Sequence, residues 1–274
     1  MSHPTNQHYV PRFLLKNFHC EDENKVWSYE IARRQIKQRS ISRVASEDFF
    51  YDYAAGDPEE SFEALMGNAE NEAAPVIRKI INERSIDNLT NDEKCIIALF
   101  ASLQNSRTKG SIETVESINS QLIEHIQAFA QGHDPDMKLE FLSTKDLWRS
   151  ALLQTPKFAL LLAQKQWVLL ESDNSFYISD HPFVRYNRTN RPERGMHGFN
   201  SDGIEMYLPI QPSLVLGFVC ERHFPKQETK QYCSFENVEY YNSLQVLNAE
   251  RFIFSASNNF QLVEIMLDDD SLKK

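Results

Sequence analysis

The hydrophobic pattern of the N-terminal segment, residues 8–18, predicts a short amphipathic helix. Pro11 suits its first turn, because the missing N–H of proline would have no helical partner there. The apolar side consists of Leu14, Leu15 and Phe18. His8 and Tyr9 then come just before the positive end of this helix, where an anion could be held.

Short strand-like segments at 26–29 and 35–41 predict a β-hairpin with Arg33 and Arg34 at its exposed turn. Helical periodicity follows. Asp57-Pro58 has the composition of a helix start, with a capping carboxylate followed by proline. We expect this helix to end near Arg84.

Two further helices are predicted before the pattern changes. Thr90 begins a capping box with Glu93, and the helix after it should end at Gly110. Its core positions are Ile96, Leu99, Phe100 and Leu103. The next helix has a candidate core of Ile112, Val115, Leu122, Ile126 and Phe129. Ser143 and Pro156 mark the starts of two shorter helices.

The C-terminal half reads mainly as β-strands. Segments 167–170 and 176–179 are predicted strands joined in a hairpin around Asp173-Asn174-Ser175. Further strands are predicted at 207–220, 252–255 and 260–267, with a short helix at 243–250. The whole pattern predicts an α+β fold with an N-terminal β-hairpin, a central helical layer and a C-terminal mostly antiparallel sheet. We expect residues 1–274 to form a single domain.

Composition and charge limit the function classes. The chain is 41% hydrophobic and carries 29 basic against 39 acidic residues, a net charge of −10. That charge disfavours general coating of nucleic acid, because phosphate binding needs concentrated Lys and Arg. Residues 1–46 are more basic than the rest, so a local basic surface that binds a nucleotide or nucleic acid stays open.

The cysteines and the apolar segments indicate a cytoplasmic protein. Cys20, Cys95, Cys220 and Cys233 are widely spaced, which favours reduced thiols. The N-terminus lacks the hydrophobic stretch of a signal peptide. No apolar run approaches the 18 residues that a membrane span needs, so we expect no membrane partner.

Arg107 is the first candidate for chemistry. It lies eleven residues after Ile96, about three helical turns, and therefore on the apolar face of its predicted helix. A buried guanidinium must be paired. It either forms a structural ion pair, with Glu63, Glu70 or Asp180, or it clamps a phosphate or carboxylate ligand.

Glu63 and Glu70 lie two helical turns apart, at the edge of an apolar stripe. Paired carboxylates at such a position bind a hard divalent cation or transfer protons. The alternative is an ordinary solvated helix edge. The cofactor is therefore unknown, with a divalent cation as the hypothesis.

The turn Ser179-Asp180-His181-Pro182 directly follows an apolar strand, where side chains are held firmly and stay accessible. Asp180 could ligate a metal, orient His8 or pair with Arg107. Alternatively, it accepts local backbone N–H groups in a turn. His8 itself could be a general base, or simply satisfy a hydrogen bond.

The N-terminal motif His8 to Phe18 resembles the opening of a bacterial family of unknown function, DUF4238. The resemblance continues at five later places along the chain. These are Phe49-Phe50-Tyr51, Glu63 to Glu70, Gln104 to Arg107, Ile178 to Pro182 and Leu208 to Pro212. Members typically have Asn where this chain has His181. Some members are linked to defence against phage, which implies an effector role.

Two hypotheses of different classes follow. In the first, the chain is a phosphate-ester-directed, nuclease-like effector. Its catalytic residues are His8, Asp180 and Glu70, and its metal ligands are Glu63, Glu70 and Asp180. Its substrate-binding residues are Tyr9, Arg12, Lys16, Gln104, Arg107 and His181. In the second, the same residues form a buried polar network in a non-catalytic binding or sensor module. A loop with Arg188, Arg191 and Arg194 then contacts the partner.

Overall fold

The N-terminal hairpin forms as predicted and becomes half of a larger sheet. A computed structural model describes residues 5–54, 61–133, 139–189, 198–224 and 228–269. In it, β2 (Lys25–Glu30) pairs antiparallel with β3 (Gln35–Ser40). On the other side of β2 lie β11 (Phe252–Ser255) and then β6 (Ile178–Ser179), which gives the order β3-β2-β11-β6. Both ends of the chain therefore contribute to one antiparallel sheet.

The segment before the hairpin is short and well buried. β1 (Asn6–His8) pairs antiparallel with β4 (Ser46–Asp48). The predicted helix is α1 (Arg12–Lys16), with Pro11 one position earlier than expected, at the N-cap. Its apolar side is fully buried, as the pattern indicated. The helix is five residues long and ends with Asn17 as its C-cap.

The central helical layer is also confirmed. Its elements are α2 (Phe62–Glu83), α3 (Asn91–Ser106), α4 (Lys109–His133), α5 (Thr144–Leu152) and α6 (Thr155–Ala163). The capping box at Thr90 is present. Ser143 caps α5, and Pro156 lies in the first turn of α6. The predicted start at Asp57-Pro58 lies outside the described residues.

The predicted helix end at Gly110 is wrong. α3 ends at Ser106, Arg107 is its C-cap, and Gly110 lies in the first turn of α4. A side chain at Gly110 would collide with the carboxylate of Glu250, whose Oε1 would be 2.2 Å from the added Cβ. Gly110 therefore does not stop a helix, and its nearest neighbour is the flexible, exposed side chain of Glu250.

The predicted core of α4 is also largely wrong. Ile112 and Val115 pack partly against the core. Leu122 and Phe129, however, are 54% and 66% exposed. Helical periodicity shows which side chains share a face, but it does not show whether another element covers that face.

The C-terminal half builds a five-stranded, mostly antiparallel sheet. Its strands are β5 (Gln166–Glu171), β7 (Val184–Asn187), β8 (Ile204–Gln211), β9 (Leu214–Val219) and β10 (Lys230–Tyr232). Their order is β10-β5-β9-β8-β7, and only the pairing of β10 with β5 is parallel. One face, which includes Leu169, Leu208 and Phe218, joins the main core with the helices. The other face packs against α7 (Phe235–Asn248).

Three C-terminal predictions are wrong. Segments 167–170 and 176–179 do not form a hairpin, because β6 belongs to the edge of the other sheet. Segment 260–267 is α8 (Gln261–Asp268), which buries Val263. The helix predicted at 243–250 begins at Phe235, where Ser234 and Asn237 form a capping box. The fold class itself, α+β with an N-terminal hairpin, is confirmed.

Among the described residues, no helix combines the length and the apolar composition needed to cross a membrane. The predicted basic surface is partly neutralised within the chain. Lys25 pairs with Asp22, Arg34 with Asp268, and Arg33 and Arg39 both pair with Glu30.

A side-chain junction fixes the N-terminal strand to the start of α2. Asp52 accepts hydrogen bonds from Gln7 Nε2 at 2.9 Å, from Ser61 Oγ at 2.8 Å and from the backbone N–H of Phe62 at 2.7 Å. Gln7 Oε1 in turn accepts from the backbone N–H of Tyr51 at 2.7 Å. Burial alone would raise the pKa of Asp52, but these donors hold it below its usual value.

We expect Asp52→Ala to lower the free energy of unfolding by about 2–4 kcal/mol, because it removes a helix cap and leaves buried donors without an acceptor. Urea unfolding followed by circular dichroism measures the change. Asp52→Asn keeps one oxygen for Phe62 and should lose less. A loss below about 0.5 kcal/mol for the alanine variant would show that the junction is dispensable.

Candidate functional site

Arg107 is the centre of the candidate site. Its side chain is only 1% exposed. Nη2 lies 2.8 Å from Glu70 Oε1, and Nε donates to Gln104 Oε1 at 3.1 Å. Of the three carboxylates considered from the sequence, Glu70 is the one that pairs with this buried cation. The pair joins the end of α3 to the middle of α2.

Gln104 extends this network to the N-terminal segment. Its Nε2 donates to the backbone carbonyl of Tyr9 at 2.9 Å. The hydroxyl of Tyr51 donates to the carbonyl of His8 at 3.0 Å. Two neighbouring carbonyls of the segment are thus held by side chains from distant parts of the chain.

Glu63 has the ionisation behaviour of a proton-transfer group. It lies two turns before Glu70 on α2 and is half-buried. Burial and the negative charge of Glu70 raise the pKa of Glu63 to about 7, although the charge of Arg107 opposes the rise. Glu63 is therefore close to half-protonated at neutral pH.

His8 is shifted in the direction that keeps it neutral. Burial, with smaller contributions from the charges of Arg12 and Arg107, lowers the pKa of His8 to about 4. Its Nε2 lies 3.3 Å from the carbonyl oxygen of Ile41. A carbonyl only accepts, so Nε2 carries the hydrogen and Nδ1 is the unprotonated nitrogen.

Asp180 lies in a turn, and its carboxylate is occupied by backbone groups. It accepts from the N–H groups of Glu250, Arg251 and Phe252 at 2.9, 2.8 and 2.9 Å. Burial raises its pKa to about 6 in spite of these donors. This carboxylate holds the segment that enters β11 against the end of β6. It corresponds to the structural alternative considered for Asp180 from the sequence.

The other candidate residues fall into two groups. His181 Nδ1 lies 2.9 Å from the hydroxyl of Thr108, next to Arg107 in the chain. Tyr9 is buried, and burial and the charge of Asp180 raise its pKa. Arg12 and Lys16, in contrast, lie on the exposed side of α1.

The donor set for a divalent cation is not assembled in the part of the chain that the structure describes. No group of three or more His, Cys, Asp or Glu side chains is arranged there to hold a metal ion. Glu70 faces Arg107, and Asp180 faces backbone N–H groups. The two groups of this region with strongly shifted pKa values, His8 and Glu63, suit proton transfer better than metal binding.

The sequence did not identify Gln7, Tyr51 and Asp52 as parts of the site. Each makes contacts that span more than 40 residues along the chain. Tyr51 closes a motif of the family resemblance, and Asp52 follows it directly. That adjacency was the only signal.

These features describe an α+β protein with a cluster of ionisable side chains between its N-terminal segment and two central helices. A family model described as "Protein of unknown function (DUF4238)" matches residues 6–259 of the 274. The chain therefore belongs to the DUF4238 family, as its motifs predicted. Neither the comparison with curated proteins nor the comparison with solved structures gives a match.

The raised pKa of Glu63 predicts how stability changes with pH, and unfolding experiments can test the direction of that change. Its contribution to stability is complete below the unfolded pKa of 4.5 and is lost as the pH rises through about 7. Glu63→Gln cannot ionise. We therefore compare the free energy of unfolding of this variant with that of wild type at two pH values. The difference should shift in favour of the variant by about 1–2 kcal/mol from pH 5 to pH 8, a value reduced for partial solvent screening.

Urea unfolding at the two pH values measures this difference. Glu72→Gln, an exposed position on the same helix, is the matched control and should show no pH-dependent gain. An equal effect of Glu63→Gln at both pH values would mean that Glu63 titrates normally.

Proposed function

We propose that the chain is an enzyme that cleaves phosphate esters by general acid–base catalysis at the cluster of His8, Glu63, Glu70 and Arg107. The observation that carries the proposal is the carboxyl of Glu63. Its pKa is about 7, and the charges of Glu70 and of the buried Arg107 act on it. Strongly shifted groups next to a specific charge partner are enriched at catalytic sites.

The charges of the cluster suit an anionic substrate once Glu63 is protonated. Arg107 and Glu70 then cancel, His8 is neutral, and Arg12 contributes a positive charge. A bound phosphate would favour the protonated form of Glu63 further. Binding and protonation therefore support each other.

The reaction that fits these groups is hydrolysis with two proton transfers, one from the attacking water and one to the leaving oxygen. A water oxygen attacks phosphorus while its proton passes to Nδ1 of His8. The bond to the leaving oxygen breaks, and that oxygen takes the proton of Glu63. Arg107 stabilises the charge that develops on the phosphoryl oxygens. Asp180 and Gln104 act as positioning residues.

A substrate screen tests the proposal. We expect the wild type to hydrolyse at least one of bis-p-nitrophenyl phosphate, single-stranded DNA, RNA and nucleoside triphosphates. The value of kcat/KM should fall above pH 7, as Glu63 loses its proton. Glu63→Gln should reduce kcat by roughly 100-fold or more while it still binds substrate.

Glu72→Gln should retain full activity in the same screen. No turnover on any substrate, or equal rates for Glu63→Gln and Glu72→Gln, would contradict catalysis at this cluster. Circular dichroism of each variant separates loss of activity from loss of folding.

The biological role in the proposal is that of a cytoplasmic effector in bacterial phage defence, the role that the family resemblance implies. We expect expression of the wild type in a bacterial host to reduce plaque formation by at least one phage of a diverse panel. Glu63→Gln, at equal protein level, should not. Equal protection by both proteins would separate any defence role from the proposed chemistry.

A non-catalytic binding or sensor module is the second candidate. The observation in its favour is that the side chains of Gln104, Arg107 and Asp180 already form hydrogen bonds within the chain. In a binding or sensor module, the role of this network is structural: it fixes the N-terminal segment and takes no part in catalysis. Arg188 of the predicted contact loop pairs with Glu205. Arg191 and Arg194 lie outside the described residues.

A further inference from the structure

A second polar cavity lies on the other face of the five-stranded sheet, away from the Arg107 cluster. Glu205 and Tyr207 are two residues apart on β8, so both point toward the α7 side. Met206 and Leu208 point to the main core. The cavity measures about 280 Å³, and Val168, Leu170 and Val219 form its floor.

Glu205 is the charged group of this cavity and is only 1% exposed. A buried carboxylate needs hydrogen bonds and a counter-charge. The hydroxyl of Tyr207 donates to its Oε2 at 2.6 Å. The counter-charge comes from Arg188, whose Nε and Nη2 lie 3.2 and 3.4 Å from the two carboxylate oxygens.

Aromatic side chains surround this ion pair. The guanidinium carbon of Arg188 lies 5.6 Å from the centre of the Phe224 ring. Tyr241 meets the Tyr207 ring edge-on at 4.8 Å. Gly217 leaves room for that ring, because an added Cβ would lie 3.2 Å from it. A buried carboxylate with aromatic faces around it is the chemistry that recognises organic cations.

Near the ion pair, one buried polar atom lacks a hydrogen-bond partner among the described residues. Within the described residues, the hydroxyl of Tyr240 is buried and makes no hydrogen bond. Its ring packs edge-on against Tyr241, which lines the cavity. The charges of Glu205 and Arg188 act on this hydroxyl, which places Tyr240 close to the ion pair.

We propose that this cavity binds a guanidinium or alkylammonium group, and that Arg188 occupies its carboxylate as a replaceable internal ligand. The Arg188 side chain is 63% exposed and approaches from the rim. Its two hydrogen bonds are longer than the roughly 2.7–2.9 Å typical of charge-assisted pairs. An incoming cation can therefore displace it. The net charge of −10 favours cationic ligands over anionic ones.

Matched probes test the proposal on the full chain. n-Butylguanidinium carries the charge, and n-butylurea has the same shape without it. We expect calorimetry to detect binding of the first and not the second. Arg188→Ala, which removes the internal ligand, should bind the guanidinium roughly fivefold more tightly, and Glu205→Gln roughly tenfold more weakly or not at all.

Glu264→Gln, an exposed acid on α8, is the control and should match wild type. Agmatine and an arginine-containing peptide, compared on the same variants, distinguish a free amine from a protein partner. The proposal is overturned if Arg188→Ala binds no better than wild type, or if butylurea binds as well as butylguanidinium. The arginine variant changes an exposed side chain, so it decides the matter even if Glu205→Gln fails to fold.

Discussion

The fold of this chain depends on one buried guanidinium. Arg107 sits at the end of α3 with almost no exposure and must be compensated. Glu70 supplies the opposite charge from α2, and Gln104 passes the contact on to the backbone of Tyr9. Removing the arginine would leave the partly exposed carboxylate of Glu70 without its ion pair and the buried amide oxygen of Gln104 without its donor. Three parts of the chain are therefore held together by a single cation.

Burial explains why two groups near this cation have unusual acidities. The positive charge of Arg107 adds to burial in disfavouring protonated His8, whereas for Glu63 it only partly offsets burial and the charge of Glu70. The result is a neutral histidine and a carboxyl that changes charge near pH 7. Pairs of titratable groups whose pKa values are shifted in opposite directions are typical of acid–base catalytic sites. Here they lie at the meeting point of the family motifs.

Local signals in the sequence predicted local structure well. Thr90, Ser143 and Pro156 each marked a helix start correctly, because capping chemistry acts within one turn. The same signals could not show that Gly110 lies inside α4, against the side chain of Glu250, 140 positions later. They also could not show whether any element covers Leu122 and Phe129 on α4.

In the candidate site, too, the sequence predicted local features and missed contacts between distant segments. Arg107 was recognised as buried and paired, since an apolar face forces that conclusion. The choice of Glu70 over Asp180 was not readable, because it depends on packing between separate helices. Asp180 was grouped with the catalytic residues, yet its carboxylate binds the backbone of residues 250–252. Gln7 and Asp52 passed unnoticed because neither shows a pattern by itself.

The most direct test of this account is the acidity of Glu63 in the intact protein. Carbon-detected NMR of the side-chain carboxyls, with Glu63→Gln to assign the signal, follows its titration. The account predicts a midpoint of about 7. A midpoint near 4.5, the ordinary value for glutamate, would mean that neither burial nor Glu70 acts on it as described.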